Sequence, residues 1–376
     1  MDRILRTLIF VFLTSILTLQ NAFSAAVSLP SQTWLDQIQE LPDLQLVITP
    51  EQDYSEIFKA FKSAEKNIKV GIFGISSKDI TASLIEQSKR GVQVTVICDK
   101  YCTSNPKRLA LFDELKAAGI NMVVASPGFS ITHWKMFVID DRKAFISTMN
   151  YISRFYQMRD FGVFTEDPAI VQEILTVYQQ DLINAQNSTQ ITPLLTSPYL
   201  VWSPVNSEGK LVDLINQAEK SIEIWIENLG NAQVHMALKK AVERKVNVRI
   251  LTSVCGMGAD HTFAYTNYKD LIPAGVTIRG MPFPATQDLP YIHAKSIHVD
   301  KQLYFLGSEN FSYNSLVKAR ELGIVFKNNA IQTQLDQYFE KDWAKSVAIP
   351  ETSPESCEAL TAGTSQDDLS QLGMIL

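Results

Sequence analysis

The chain has 376 residues, 46% of them hydrophobic and 20% charged, and a formal net charge of −6. That length buries a large core, either as two domains or as one duplicated unit, in the balance of an ordinary globular protein. An acidic chain has no overall electrostatic attraction for nucleic acid or anionic lipid, so binding of either needs a local basic cleft.

The chain opens with Met1-Asp2-Arg3-Ile4-Leu5-Arg6, runs through an apolar stretch from Thr7 to Leu19, and leaves it through Asn21-Ala22-Phe23-Ser24-Ala25-Ala26. A basic start, a short apolar core and a small-residue exit are the anatomy of a secretory signal peptide. The apolar stretch falls short of the roughly 20 residues of a membrane span. Residues 1–26 are therefore expected to be a signal peptide, and the destination to be secreted or periplasmic. Export permits disulfides among Cys98, Cys102, Cys255 and Cys357; Cys98 and Cys102 are nearest in sequence, and three complete pairings stay open. No metal-ligand spacing of Cys or His accompanies them, so no metal site is expected.

The remainder repeats itself. Ser63 to Ile72 aligns with Gln217 to Ile226, Gly91 to Ile97 with Lys245 to Leu251, and Leu115 to Ile120 with Leu271 to Val276. Each pair reads as a helix end or a strand at the same place in its copy. A spacing of about 150 to 160 residues is too long for a solenoid and fits two copies of one domain. Alternating helices and strands predict mixed, mostly parallel sheets covered by helices. The expected division is a first half at 27–185, a linker at 186–203, a second half at 204–349 and a polar tail at 350–376.

Each copy carries one chemical string. His133-Trp134-Lys135-Met136-Phe137-Val138-Ile139-Asp140 and His293-Ala294-Lys295-Ser296-Ile297-His298-Val299-Asp300 both read H-x-K-x4-D. Short turns follow, Ser147-Thr148-Met149-Asn150 and Gly307-Ser308-Glu309-Asn310. Breaking a phosphodiester without a metal needs a nucleophile for phosphorus and an acid for the leaving oxygen, and two imidazoles supply both. On a strand, positions i and i+2 share a face, so each lysine projects beside its histidine. Lys135, Lys295, Asn150 and Asn310 are then the donors for the non-bridging oxygens. Asp140 and Asp300 fall at an odd offset, on the other face. Asp160 and Glu321 follow their histidines at closely matched spacing. His235, His261 and His298 have no such context and are expected to pack or meet solvent.

These strings resemble the paired HKD motifs of the phospholipase D superfamily, H-x-K-x4-D-x6-G-S-x-N. The second copy matches every specified position, while the first has Ser147-Thr148 where the family has Gly-Ser. The resemblance implies two pseudo-symmetric α/β/α sandwich halves sharing one active site. It also implies that His133 attacks to give a phosphohistidine and that His293 protonates the leaving alcohol, then activates water or an acceptor alcohol. Asp160 and Glu321 would orient the histidines, Asp140 and Asp300 would be structural rather than catalytic, and no cofactor is implied. Thr148, Ser308 and Trp134 are the further substrate-binding candidates.

The motifs name a phosphodiester without naming what hangs from it. Aromatic residues crowd the motif loops, with Phe129, Trp134, Phe155 and Tyr156 in one half and Phe283, Tyr291, Phe311 and Tyr313 in the other. The loop from Val254 to Tyr265 adds an apolar surface. Basic residues are sparse, as at Lys100, Lys107 and Arg108. The sequence therefore predicts an exported phospholipase D that hydrolyses glycerophospholipids to phosphatidic acid and a free headgroup, with transphosphatidylation as a side reaction. Its partners would be phospholipid and a membrane surface. An exported nuclease acting on DNA or RNA is the alternative. A non-catalytic binding module fits poorly, because both histidines and both lysines are present.

Overall fold

The computed structural model describes residues 33–151, 157–256, 265–352, 354 and 357. The expected signal peptide lies outside these, as do Phe155, Tyr156, His261 and nearly all of the expected tail. Residues up to Gln37 form a separate unit, described only for a turn at Trp34–Gln37 in which Asp36 accepts from Thr33.

The first half contains β1 (Gln45–Thr49), α1 (Ser55–Lys62), β2 (Asn67–Ile72), α2 (Lys78–Lys89), β3 (Gln93–Cys98) and α3 (Pro106–Ala117). It continues with β4 (Asn121–Val124), β5 (Lys135–Ile139), β6 (Lys143–Ser147), β7 (Met158–Thr165) and α4 (Pro168–Asn187). The second half contains β8 (Leu200–Ser203), α5 (Ser207–Asn216), β9 (Ser221–Ile226), α6 (Ala232–Glu243), β10 (Asn247–Ser253) and α7 (Tyr265–Tyr268). After these come β11 (Thr277–Met281), β12 (Tyr291–Ile292), β13 (Lys295–Val299), β14 (Leu303–Gly307), α8 (Tyr313–Val317), β15 (Glu321–Phe326), α9 (Asn329–Lys345) and β16 (Val347–Ala348).

The strands form two mixed sheets, ordered β1-β7-β6-β5-β2-β3-β4 and β16-β11-β10-β9-β13-β14-β15-β8, and not the mostly parallel sheets expected. Parallel pairing joins β2, β3 and β4 and β9, β10 and β11, while within each sheet the motif strands and those after them pair antiparallel. The motif strands β5 and β13 lie inside their sheets, and every residue of both is buried. Two covered faces explain why these strands read as near-continuous apolar runs around their polar residues. α4 runs to Asn187 and β8 pairs with β15. The stretch 186–203, expected to be linker, thus starts in a helix of the first half and ends in a strand of the second sheet.

The motif aspartates close the hairpins. Asp140 and Asp141 have φ of 50° and 57°, and Asp300 and Lys301 have 53° and 55°. Positive φ at both central residues makes the primed turn that suits the twist of an antiparallel pair. The Asp140 carboxylate also accepts from the backbone N–H of Glu65, Lys66 and Asn67 at 2.7–2.9 Å. Asp300 does the same for Glu219, Lys220 and Ser221 at 2.7–2.9 Å. Each motif aspartate therefore ties the hairpin to the start of β2 or β9, which agrees with a structural role.

One core spans both halves, with Trp134, Met136, Phe161 and Tyr178 from the first and Trp202, Trp225, Tyr304 and Phe339 from the second. Buried ion pairs cross in both directions. Arg159 binds Asp342, with a nearest contact of 2.7 Å, and Arg320 binds Asp181 at 2.9 Å. The cysteines pair as Cys255–Cys357, while Cys98 and Cys102, the nearest in sequence, are buried free thiols.

Candidate active site

His133 and His293 each precede a motif strand, and each is strapped to the opposite half. His133 N donates to Arg320 O at 2.8 Å, and His293 N donates to Arg159 O at 3.2 Å. The short strand β12, just before His293, pairs in parallel with Met158 and Arg159 of β7. The residue after each arginine is the carboxylate singled out by spacing. The consequence is a crossed arrangement: Glu321 Oε2 lies 2.9 Å from His133 Nδ1, and Asp160 Oδ1 lies 2.7 Å from His293 Nδ1. Each histidine is oriented by the other half, and Nε2 is left to face the chemistry.

Burial, aided by the charge of Lys135, pushes the His133 imidazole down to about 4, against the opposing pull of Glu321. At neutral pH it is uncharged. With Nδ1–H donated to Glu321, its Nε2 carries the free lone pair that a nucleophile needs. Burial and the neighbouring charge of Lys295 push Lys135 down to about 7. The two motif lysines thus feel each other across the halves, and both histidines, both lysines and both carboxylates belong to one cluster. Lys135 Nζ donates to His133 O at 2.7 Å, and Asn150 Nδ2 lies 3.3 Å from His293 Nε2.

The second half holds a residue that motif reading missed. Glu227 Oε2 lies 2.7 Å from Lys295 Nζ, 3.3 Å from Asn310 Nδ2 and 3.7 Å from His293 Nε2. Tyr291 donates its hydroxyl to Glu227 Oε1 at 3.2 Å, which brings one motif-loop aromatic into contact with the cluster. Burial opposes ionisation of Glu227, but Lys295 and His293 outweigh it and hold the carboxyl well below the usual range. The signal was present one residue beyond the repeat: Phe73 follows Ile72 as Glu227 follows Ile226. Phe73 meets His133 edge-on, 5.2 Å between ring centroids, with Lys135 Nζ 5.7 Å above its ring.

Three substrate-binding expectations need correction. Trp134 is fully buried, stacked 6.0 Å from Tyr178, and belongs to the core. Strand alternation turns it away from the face shared by His133 and Lys135. Thr148 donates to Asp160 and accepts from Phe161 N, and Ser308 accepts from Leu322 N. Both hydroxyls are fully buried and brace the strands carrying the carboxylates rather than meeting ligand. Ser147, the departure from the motif, donates to Lys135 O at 3.1 Å. Its counterpart Gly307 leaves room for Glu309, whose Oε2 would lie 2.3 Å from an added Cβ. Phe129 and Phe311 are buried, and His235 pairs with Asp270.

A family model described as "Cardiolipin synthase, PLD-like domain" matches residues 57–182 and 211–343, one segment in each half. The chain belongs to the phospholipase D superfamily. It is therefore an enzyme of the phosphodiester-transferring type. Among curated relatives, a probable cardiolipin synthase of Bacillus subtilis is 22% identical over 344 residues, spanning 81% of this chain and 66% of that protein. Cardiolipin synthase B of Shigella flexneri is 27% identical over 329 residues, covering 75% of this chain and 76% of its own. Phospholipase D Z of Dictyostelium discoideum is 25% identical over 177 residues, 43% of this chain and 41% of its own.

Solved structures agree on the fold. The phosphatidylserine synthase of Haemophilus influenzae superposes with a TM-score of 0.66 at 12% identity, over 90% of this chain and 97% of that one. The polyphosphate kinase of Porphyromonas gingivalis gives 0.60 at 14%, over 85% and 52%. The relatives correct one expectation. Those that match most of this superfamily member are named as cardiolipin synthases, not as exported lipases, and the secreted or periplasmic destination does not stand. Among the described residues, no helix is long and apolar enough to cross a membrane.

Proposed function

We propose that the chain transfers the phosphatidyl group of a glycerophospholipid through a phosphohistidine, to water or to an alcohol. The observation that carries this reading is the crossed pair of carboxylate-bound histidines around one lysine and asparagine cluster. The relatives' names support lipid as the substrate class.

His133 Nε2 attacks phosphorus, the bond from phosphorus to the headgroup oxygen breaks, and His293 gives its proton to that oxygen. His293 then takes the proton of the incoming hydroxyl, the new oxygen bonds phosphorus, and the bond to His133 breaks. Lys135, Lys295, Asn150 and Asn310 hold the non-bridging oxygens, where fixed donors count most as charge develops. A proton on His293 Nε2 faces the Glu227 carboxylate, and His133 has the apolar Phe73 in that place. The asymmetry supports His133 as nucleophile and His293 as acid. Water as acceptor yields phosphatidic acid, and an alcohol yields a new phosphodiester.

The test uses phosphatidylglycerol vesicles, purified protein and a small amount of primary alcohol, with products read by mass spectrometry. Phosphatidic acid or phosphatidyl-alcohol, absent with His133→Ala, supports lipid transfer. Cleavage of single-stranded DNA or RNA with no lipid product overturns it.

A further inference from the structure

The second sheet carries a row of four polar side chains that the first sheet repeats at only two places, with neither a carboxylate nor an imidazole. Across the register, Arg249 of β10 pairs with Glu223 of β9, Glu223 with His298 of β13, and His298 with Tyr304 of β14. The corresponding neighbours in the first sheet are Thr95, Lys69, Val138 and Ala144. The fold therefore closes without this row, which alternation places on the face of β13 opposite Lys295. Asp336 of α9 joins it: one ligand atom from each of Glu223, His298 and Asp336 lies within 4.8 Å of the others.

Hydrogen bonding fixes the state of His298. Ser296 Oγ donates its single proton to Phe305 O at 2.8 Å, so it accepts from His298 Nε2, 3.1 Å away. Nε2 thus bears the ring proton and Nδ1 an open lone pair. Nδ1 of His298 and Oε2 of Glu223 are both buried, and neither has a hydrogen-bond partner among the described residues. Buried acceptors without a donor are costly and uncommon. A cation bound by both atoms would supply what each lacks.

We propose that Glu223, His298 and Asp336 bind a divalent transition-metal ion at a structural site separate from the phosphodiester-transferring cluster. One imidazole and two carboxylates form a donor set suited to zinc, with water completing the tetrahedron. Each ligand also has an outer partner of the kind that orients metal-binding groups. Arg249 bonds the other oxygen of Glu223, Ser296 bonds Nε2 of His298, and Tyr304 donates to Asp336 at 3.4 Å. Lys301 Nζ, 3.9 Å from Asp336, belongs to a part-exposed side chain that can turn to water as the ion enters.

The experiment uses untagged full-length protein, stripped with a chelator, equilibrated with zinc sulfate and gel-filtered, with metal counted by mass spectrometry. The expected result is one zinc per chain, with a rise in melting temperature on zinc addition. His298→Val installs the residue the first half uses at Val138, and Asp336→Asn alters a partly exposed position on α9. Each is expected to weaken zinc binding at least about tenfold and to remove the thermal shift. Stripped wild-type protein that takes up no zinc overturns the site. So do two folded variants that bind zinc with wild-type stoichiometry and affinity.

Discussion

Asp160, in the half that carries His133, hydrogen-bonds His293 at 2.7 Å, and Glu321 returns the arrangement to His133 at 2.9 Å. Each half builds its partner's histidine, so neither half contains a working imidazole by itself. Glu321→Gln should cripple the nucleophile with every substrate, by about 10²–10⁴ in kcat, as loss of an orienting carboxylate does in other histidine sites. Asp160→Asn should cost as much with phospholipid, but far less in the rate of the first nitrophenolate release from a nitrophenyl phosphodiester, whose leaving group needs no proton. Pre-steady-state burst kinetics check this, and equal loss of the burst rate in the two variants would contradict the crossed roles.

Glu227 and Phe73 occupy matching places in the two halves, and only Glu227 is charged. Its carboxylate pairs with Lys295 and Asn310, the groups assigned to the phosphate. Glu227→Gln should free Lys295 and tighten inhibition by inorganic phosphate about tenfold, the worth of roughly one charged hydrogen bond. The same variant should lower kcat for phospholipid, because the proton on His293 loses its facing carboxylate. Unchanged phosphate inhibition would show that the carboxylate does not compete for that site.

The pH dependence follows from two buried bases. Protonation of His133 near 4 removes the nucleophile, so kcat/KM should fall below that value. Lys135 in the free enzyme loses its proton near 7, and with it the charge that holds phosphate, so kcat/KM should also fall above that value. In kcat the basic limb should move upward, because bound phosphate favours the ammonium. Lys135→Arg carries a charge that does not titrate in this range, and should remove the basic limb from kcat/KM.

The repeat, the α/β class and the placement of each lysine beside its histidine were legible because local spacing encodes them; the expected mostly parallel pairing was not, because β5, β6 and β7, like β13, β14 and β15, pair antiparallel. The crossing was not, since the distance from His133 to Asp160 along the chain says nothing about which histidine the carboxylate reaches. Trp134 was misread from its position between two functional residues, although alternation along β5 already turned it inward. Glu227 escaped because its repeat partner is an apolar Phe73, and a search for matched polar pairs discards such a position. Cys255 and Cys357 are far apart in sequence, and only the fold brings their Cα atoms to 5.4 Å.

Arg159 and Asp342 fasten the halves together, each with about 1% of its side chain exposed. Arg159→Met should destabilise the protein by about 3–5 kcal/mol, because Asp342 is left as a buried unpaired charge. Arg159→Met with Asp342→Leu should recover much of that loss. Urea unfolding measures both, and a cost under about 1 kcal/mol for the single variant would contradict the pairing.

A covalent adduct on His133 is the central claim, and trapping it is the most direct test. His293→Ala, mixed with a nitrophenyl ester of phosphatidic acid, bypasses the acid step and lacks the base that releases the intermediate. The account predicts a burst of about one nitrophenolate per chain, the signature of an accumulating covalent enzyme. It also predicts a phosphatidyl adduct on the peptide containing His133, with neither signal in His133→Ala. Absence of burst and adduct in active preparations, or an undiminished burst in His133→Ala, would contradict it.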